Sequence, residues 1–154
     1  MQNIDSDLNK MVQDFYKKYK NTDDKKASLR PEPAEWSLKE IIGHLINSAS
    51  IYHQRFVGLQ TVDEMAFPEY QKHYPEWIGI EKFNDLRLAD LLLMWKQYNI
   101  LLGHIIRTVN REKLGNYLLA GDRKRTLESL ITDYVRHLKE HLVQFEQTLA
   151  KVRK

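Results

Sequence analysis

Cysteine is absent from the 154 residues, which excludes a disulfide framework, a thiolate metal site and a cysteine nucleophile. Glycine and proline are scarce, ten residues between them and about half their ordinary share, so an all-β fold would lack turn material. No apolar run approaches the ~18 residues of a membrane span, and no charged-then-apolar leader is visible. No membrane partner and a cytoplasmic location are therefore the expectations. Charge of one sign is missing too: 24 Lys and Arg against 21 Asp and Glu leave a net +3, interspersed along the chain. That balance is too small and too mixed for a nucleic-acid footprint. The densest basic stretches, Arg123-Lys124-Arg125 and Lys151 to Lys154, read as a solvated loop and a frayed terminus. Any metal must be held by His, Asp or Glu.

What is present is helical periodicity. A chain of this length reads as one domain, residues 1–154, able to bury roughly 68–70% of its unfolded surface. Ile4, Leu8, Val12, Phe15 and Tyr19 recur at helical spacing and predict a first helix over about 3–20. Ser37 with Glu40 three residues later forms a capping box that opens a second helix to about Leu59. Its stripe is Leu38, Ile41, Ile42, Leu45, Ala49, Tyr52 and Phe56. A third helix over about 85–109 carries Leu91, Leu92, Trp95, Tyr98, Leu101, Leu102, Ile105 and Val109. A fourth over about 126–150 carries Leu127, Leu130, Ile131, Tyr134, Leu138, Leu142, Phe145 and Leu149. No long stretch alternates with period two, so the fold class is all-α, a four-helix bundle.

The segment from Gln60 to Asn84 shows no clear helix. It is far longer than the 2–8 residues usual between bundle neighbours, so it crosses the bundle or lids a site. Its aromatics, Phe67, Tyr70, Tyr74 and Trp77, argue for packing back on the bundle.

Six histidines carry the chemistry. His137 and His141, four residues apart on the fourth helix, stack two imidazoles on one face about 5–6 Å apart at Cβ. Such a pair suits two nitrogen ligands of one divalent ion, although alone it is weak evidence. His141 falls inside the apolar stripe, where a satisfied core histidine is the alternative, and His137 lies at its edge. His44 and His53 on the second helix are nine residues apart, hence on opposite faces. With antiparallel second and fourth helices, His44 and His141 stand within one turn of each other in height. His44, His137 and His141 can therefore converge, and three neutral imidazoles make an open metal site. His53 reads as structural or exposed, His104 as a buried or rim residue, and His73 as an unsupported substrate contact in the long loop. Arg55, about 16 Å along the helix from His44, reads as a surface salt-bridge partner, with contact to the carboxylate of a large thiol cofactor as the alternative. Glu40, Asp133 and Asn47 are the candidates for orienting the imidazoles, with Glu40 discounted because the capping box occupies it.

The runs Trp36-Ser37-Leu38-Lys39-Glu40-Ile41-Ile42-Gly43-His44-Leu45 and His53-Gln54-Arg55-Phe56, with the later Tyr134-Val135-Arg136-His137-Leu138-Lys139-Glu140-His141-Leu142, resemble the DinB/YfiT-like superfamily. The resemblance covers essentially the whole chain in length and helix order. It implies an up-down-down-up bundle with a long crossover between the second and third helices. It also implies one divalent ion, nickel or zinc, on His44, His137 and His141. Characterised relatives include S-transferases that use a low-molecular-weight thiol, a maleylpyruvate isomerase, and proteins described as metal-dependent hydrolases. A small-molecule substrate is implied, activated through a thiol or a water, and so is pairing of bundles into a homodimer. No contiguous exposed apolar patch can be assigned to such a pair. The reading from another class is a non-catalytic, metal-stabilised bundle acting in dimerisation or a stress-response interaction.

Overall fold

Amphipathic stripes must bury one another, and in the computed structural model, which describes residues 3–68 and 73–153, they do so as a helical bundle. Helix α1 spans Ile4–Tyr19, the single turn α2 spans Asp24–Ala27, and α3 spans Leu38–Gly58. Strand β1 (Glu64–Ala66), helix α4 (Tyr74–Glu81) and a 3₁₀ turn then lead to α5 (Leu88–Arg107). Strands β2 (Tyr117–Ala120) and β3 (Arg123–Thr126) precede the last helix, α6 (Leu127–Val152). No helix among the described residues is long and apolar enough to cross a membrane.

Contacts along the helices give their directions. Phe15 meets Trp95 while Asp5 and Leu8 lie beside Gly103, so α1 and α5 are antiparallel. Ser37 and Lys39 meet Asn84 at one end, and Gln60 meets Asn110 at the other, so α3 and α5 are parallel. His44 against His141 and Tyr52 against Tyr134 make α3 and α6 antiparallel. The order is up-down-down-up. Trp95 is fully buried at the centre, with Phe15 set edge-on to it and Tyr19 and Phe145 closing the cluster. Tyr134 donates its hydroxyl proton to the Asn99 side chain, which in turn donates to the Trp95 carbonyl at 2.8 Å. That buried link ties α6 to α5 across the bundle.

Helix starts are set by specific acceptors. The capping box of Ser37 and Glu40 is formed, and Thr126 accepts from the Ser129 amide to begin α6. Helix α5 has no side-chain cap of its own. Its Leu88 amide instead donates at 2.9 Å to Asp24, whose other oxygen accepts from the buried Lys39 ammonium at 2.9 Å. These two bonds hold Asp24 below the usual carboxylate range and lock the first ends of α3 and α5 together.

Three expectations need correction. The crossover is not without regular structure: it contains β1, α4 and the 3₁₀ turn, although its Tyr70 lies outside the described residues. Pro75 in the first turn of α4 supplies the missing start signal. The bundle also carries a small sheet of order β1-β2-β3, with β1 parallel to β2 and β2 antiparallel to β3. And Arg123-Lys124-Arg125 is not a loop but most of β3. The two-residue Gly121-Asp122 turn, with Gly121 at φ 61, is the readable hairpin signal. Strands of three and four residues are too short for periodicity to reveal.

Gly43 explains its place beside His44. A Cβ there would drive into the Phe83 ring, which plugs the side of α3 from the 3₁₀ turn. Gly43→Ala should therefore destabilise the protein by about 1–3 kcal/mol, despite the ~1 kcal/mol that alanine offers a helix interior. A lowered midpoint in urea denaturation is the expected reading. An unchanged or raised midpoint would mean that Phe83 yields freely.

Candidate metal centre and cavity

The capping box starts α3 so that His44, Ser48 and Tyr52 fall in one row, four residues apart. This row faces α6, where Tyr134, His137, Leu138 and His141 form the opposite wall. Between them lies a cavity of about 410 Å³. Tyr74 and Pro75 of α4 and Trp36, just before the α3 cap, close one side. Arg125 enters from β3.

His44 is 6% exposed. Its ring sits 5.0 Å from Trp36, 4.8 Å from Tyr74 and 4.7 Å from His141, centroid to centroid. Burial, reinforced by His141 and His137, pushes its pKa down to about 3, so the imidazole is neutral at physiological pH. Its Nδ1 is buried with no hydrogen-bond partner. Such an orphan costs about 1–3 kcal/mol, and a bare nitrogen in a dry aromatic wall is what a metal ion would satisfy. His141 has its Nδ1 at 2.9 Å from the Gln144 amide oxygen. With Nδ1–H donating there, Nε2 is left as a free lone pair.

His137 lines the same cavity but has an exposed edge. Its Nδ1 stands 3.5 Å from a Glu140 oxygen, and Arg136 lies 3.5 Å from its Nε2. As the side chains stand, no three His, Asp or Glu residues among those described form a ready-made ion cage. His44 and His141 are brought together, and His137 lines the same space without closing on them.

The other histidines lie elsewhere. His53 bonds the Tyr98 hydroxyl at 2.9 Å between α3 and α5. His104 is exposed beside Arg107, and His73 faces Glu76 at the start of α4.

The candidates for orienting the imidazoles are otherwise engaged. Glu40 takes Arg30 and the Ser37 amide, and is held below the usual carboxylate range because these bonds outweigh its burial. Asp133 takes Arg125 at 2.6 Å and Arg136, and Asn47 takes Glu81. The residue that sequence reasoning missed is Gln144, one turn after His141. Its signal was the i, i+3 spacing that Asn47 has after His44, whereas Glu40 and Asp133 stand four residues before their histidines. Arg55 also departs from expectation. It is 3% exposed rather than on the surface, with its guanidinium 5.1 Å from the Tyr52 ring and 5.0 Å from the Phe67 ring.

The model of the DinB superfamily matches residues 8–145 of this chain. The chain belongs to that superfamily. No curated protein matches its sequence. Among solved structures, YfiT from Bacillus subtilis superposes with a TM-score of 0.83 over 95% of this chain and 83% of that one, at 16% identity. YfiT is described as a probable metal-dependent hydrolase with an unusual four-helix bundle topology. The likeness establishes the fold of this DinB protein, including the parallel α3 and α5 that its own contacts show.

The buried His44 makes the metal-free protein acid-sensitive. Folded, it stays neutral down to about pH 3, whereas its ordinary value is 6.5. Between those values the unfolded chain binds the extra proton, so stability falls as the pH drops through that window. The loss attributable to His44 is at most roughly 3–5 kcal/mol. Urea denaturation of metal-free wild type and His44→Gln across the window should show the steeper decline in wild type. Parallel declines would mean that His44 is not desolvated.

Proposed function

We propose that this DinB protein is a divalent-metal-dependent enzyme acting on a small molecule, with His44, His137 and His141 as the ligands. The observation that carries the reading is the buried, neutral His44, its Nδ1 unpartnered, packed on a His141 whose other nitrogen is held by Gln144. His137 joins by rotating its side chain away from Glu140. Nickel or zinc suits three imidazoles. A divalent ion on such ligands keeps its full charge and brings the pKa of a water or thiol that reaches it toward neutrality. Activation of a water gives a hydrolase, in keeping with the description of YfiT. Activation of a low-molecular-weight thiol gives an S-transferase.

The chain's own residues supply the rest. Gln144 fixes the His141 tautomer and ring plane. Trp36, Tyr74 and Pro75 keep bulk water from the His44 side of the cavity, and Phe83 in the Gly43 notch holds α4 and its Tyr74 against α3. Burial raises the Tyr74 hydroxyl above the ordinary tyrosine value, so it stays protonated and able to donate to a developing negative charge on the substrate.

Elemental analysis of protein purified without tag or chelator, and after reconstitution with nickel and zinc, should find about one ion per chain. Alanine at His44, His137 or His141 should strip most of it, since three protein ligands characterise an open catalytic site. His53→Ala and His104→Ala should leave it intact. All five variants should stay helical by circular dichroism and melt cooperatively, because the aromatic core around Trp95 is independent of the site. An undetectable metal content after reconstitution refutes the proposal. An unfolded His141→Ala would instead favour the non-catalytic, metal-stabilised bundle.

Gln144→Ala removes only the acceptor behind His141. Metal affinity, read by competition with a chromophoric chelator, should fall about 10–100-fold. No change in affinity would remove Gln144 from the site.

A further inference from the structure

Polar groups in the cavity follow an order from one end to the other. His44 and His141 stand at the α4 end, Ser48 is one turn along α3, and Tyr52 is a turn further, about 12 Å from His44 along the axis. At that far end β3 delivers Arg125, with an 18% exposed side chain, and its guanidinium lies beside the Tyr52 hydroxyl. No Asp or Glu is among the described residues that line this cavity.

The counter-charge at the far end is short among the described residues. Asp133 is the carboxylate paired with Arg125, at 2.6 Å, and it is shared with Arg136 at 3.4 Å. The Arg55 guanidinium stands behind Tyr52, close enough to Arg125 for the two charges to repel. Burial disfavours the charged form of Arg55, and an anion entering beside Tyr52 would relieve both. Of the five N–H donors of Arg125, one nitrogen is taken by Asp133 and the Tyr52 hydroxyl is a second partner, which leaves donors of the fork for a ligand. A planar, permanently charged fork with free donors, held by a carboxylate at its back, is the arrangement that recognises carboxylates.

We propose that the β3 end of the cavity is a carboxylate subsite and that Arg125 determines specificity there. This rests on the cavity being the substrate site. The substrate, or a thiol that accompanies it, is thus an elongated molecule. It carries a carboxylate at the Arg125 end and its reacting atom up to about 12 Å away, near His44 and His141.

The test uses the metal-free full chain at mildly alkaline pH, with hexanoate and its neutral isostere hexanamide as probes, followed by backbone amide NMR titration. Hexanoate should bind about tenfold more tightly than hexanamide, with the largest shifts at Tyr52 and in β3. Arg125→Gln should abolish that preference while leaving hexanamide binding unchanged, and added salt should weaken hexanoate alone. Equal binding of the two probes to wild type overturns the proposal. So does a preference that survives Arg125→Gln, or one lost only in His141→Ala. If Arg125→Gln does not fold, the position of the wild-type shifts decides: shifts confined to the His44 end overturn the subsite. The metal reading fails separately. His44→Ala should strip the metal yet keep the carboxylate preference. Protein that prefers hexanoate but never loads a metal refutes only the reading of the centre, and protein that loads a metal without the preference refutes only this subsite.

Discussion

Helices α3 and α5 run in the same direction, and much of the molecule follows from that constraint. Two parallel helices cannot be joined by a short turn, so the chain must return along the length of the bundle, about 30 Å for the 21 residues of α3. The returning segment is what roofs the cavity. It starts with β1 pairing to β2 at the far end of α3, and it finishes with α4 and the 3₁₀ turn against the near end. Phe83 then enters the notch left by Gly43, and Asp24 ties the Leu88 amide to Lys39. An antiparallel four-helix bundle with tight turns would have neither Tyr74 over His44 nor a hairpin to carry Arg125.

The cavity's two ends differ in electrostatic character for a structural reason. The His44 end is enclosed by aromatic rings, and desolvation there keeps an imidazole neutral, the state in which it can donate a lone pair. The β3 end is built from arginines whose charge cannot be titrated away, so its positive potential persists and must be met by carboxylates or ligand. A site with the neutral His44 imidazole at one end and arginines at the other is polar along its axis, and under the proposal above that polarity would orient an elongated, singly charged molecule.

Stability and site are largely separable. The Phe15, Tyr19, Trp95 and Phe145 cluster joins α1, α5 and α6, and the Tyr134–Asn99–Trp95 chain crosses the bundle. Neither involves a histidine of the cavity. The shared elements are Tyr134, which also lines the cavity, and the region of Gly43 and Phe83, where packing of the crossover also positions Tyr74.

The sequence alone determined the helices, because fifteen or more residues of 3.6-periodic burial leave an unmistakable pattern and Ser37 with Glu40 marks a start. It also determined that His44 and His141 can share a height, since axial rise is fixed per residue. The DinB resemblance rested on the same local runs. Only the tertiary structure decided the rest. Strands of three and four residues have no measurable period, so β1–β3 and the delivery of Arg125 were invisible beyond the Gly121-Asp122 turn. Arg55 reads as a surface cation until Tyr52 and Phe67 are seen on either side of it. Asp133 and Asn47 fit as imidazole partners by spacing, yet Arg125 from the preceding strand and Glu81 from α4 claim them. Gln144 takes that role because the ring of His141 turns toward its own C-terminal turn. Which of several suitably spaced polar groups finds which partner depends on side-chain orientation and on the approach of other elements, and spacing along the chain does not choose among them.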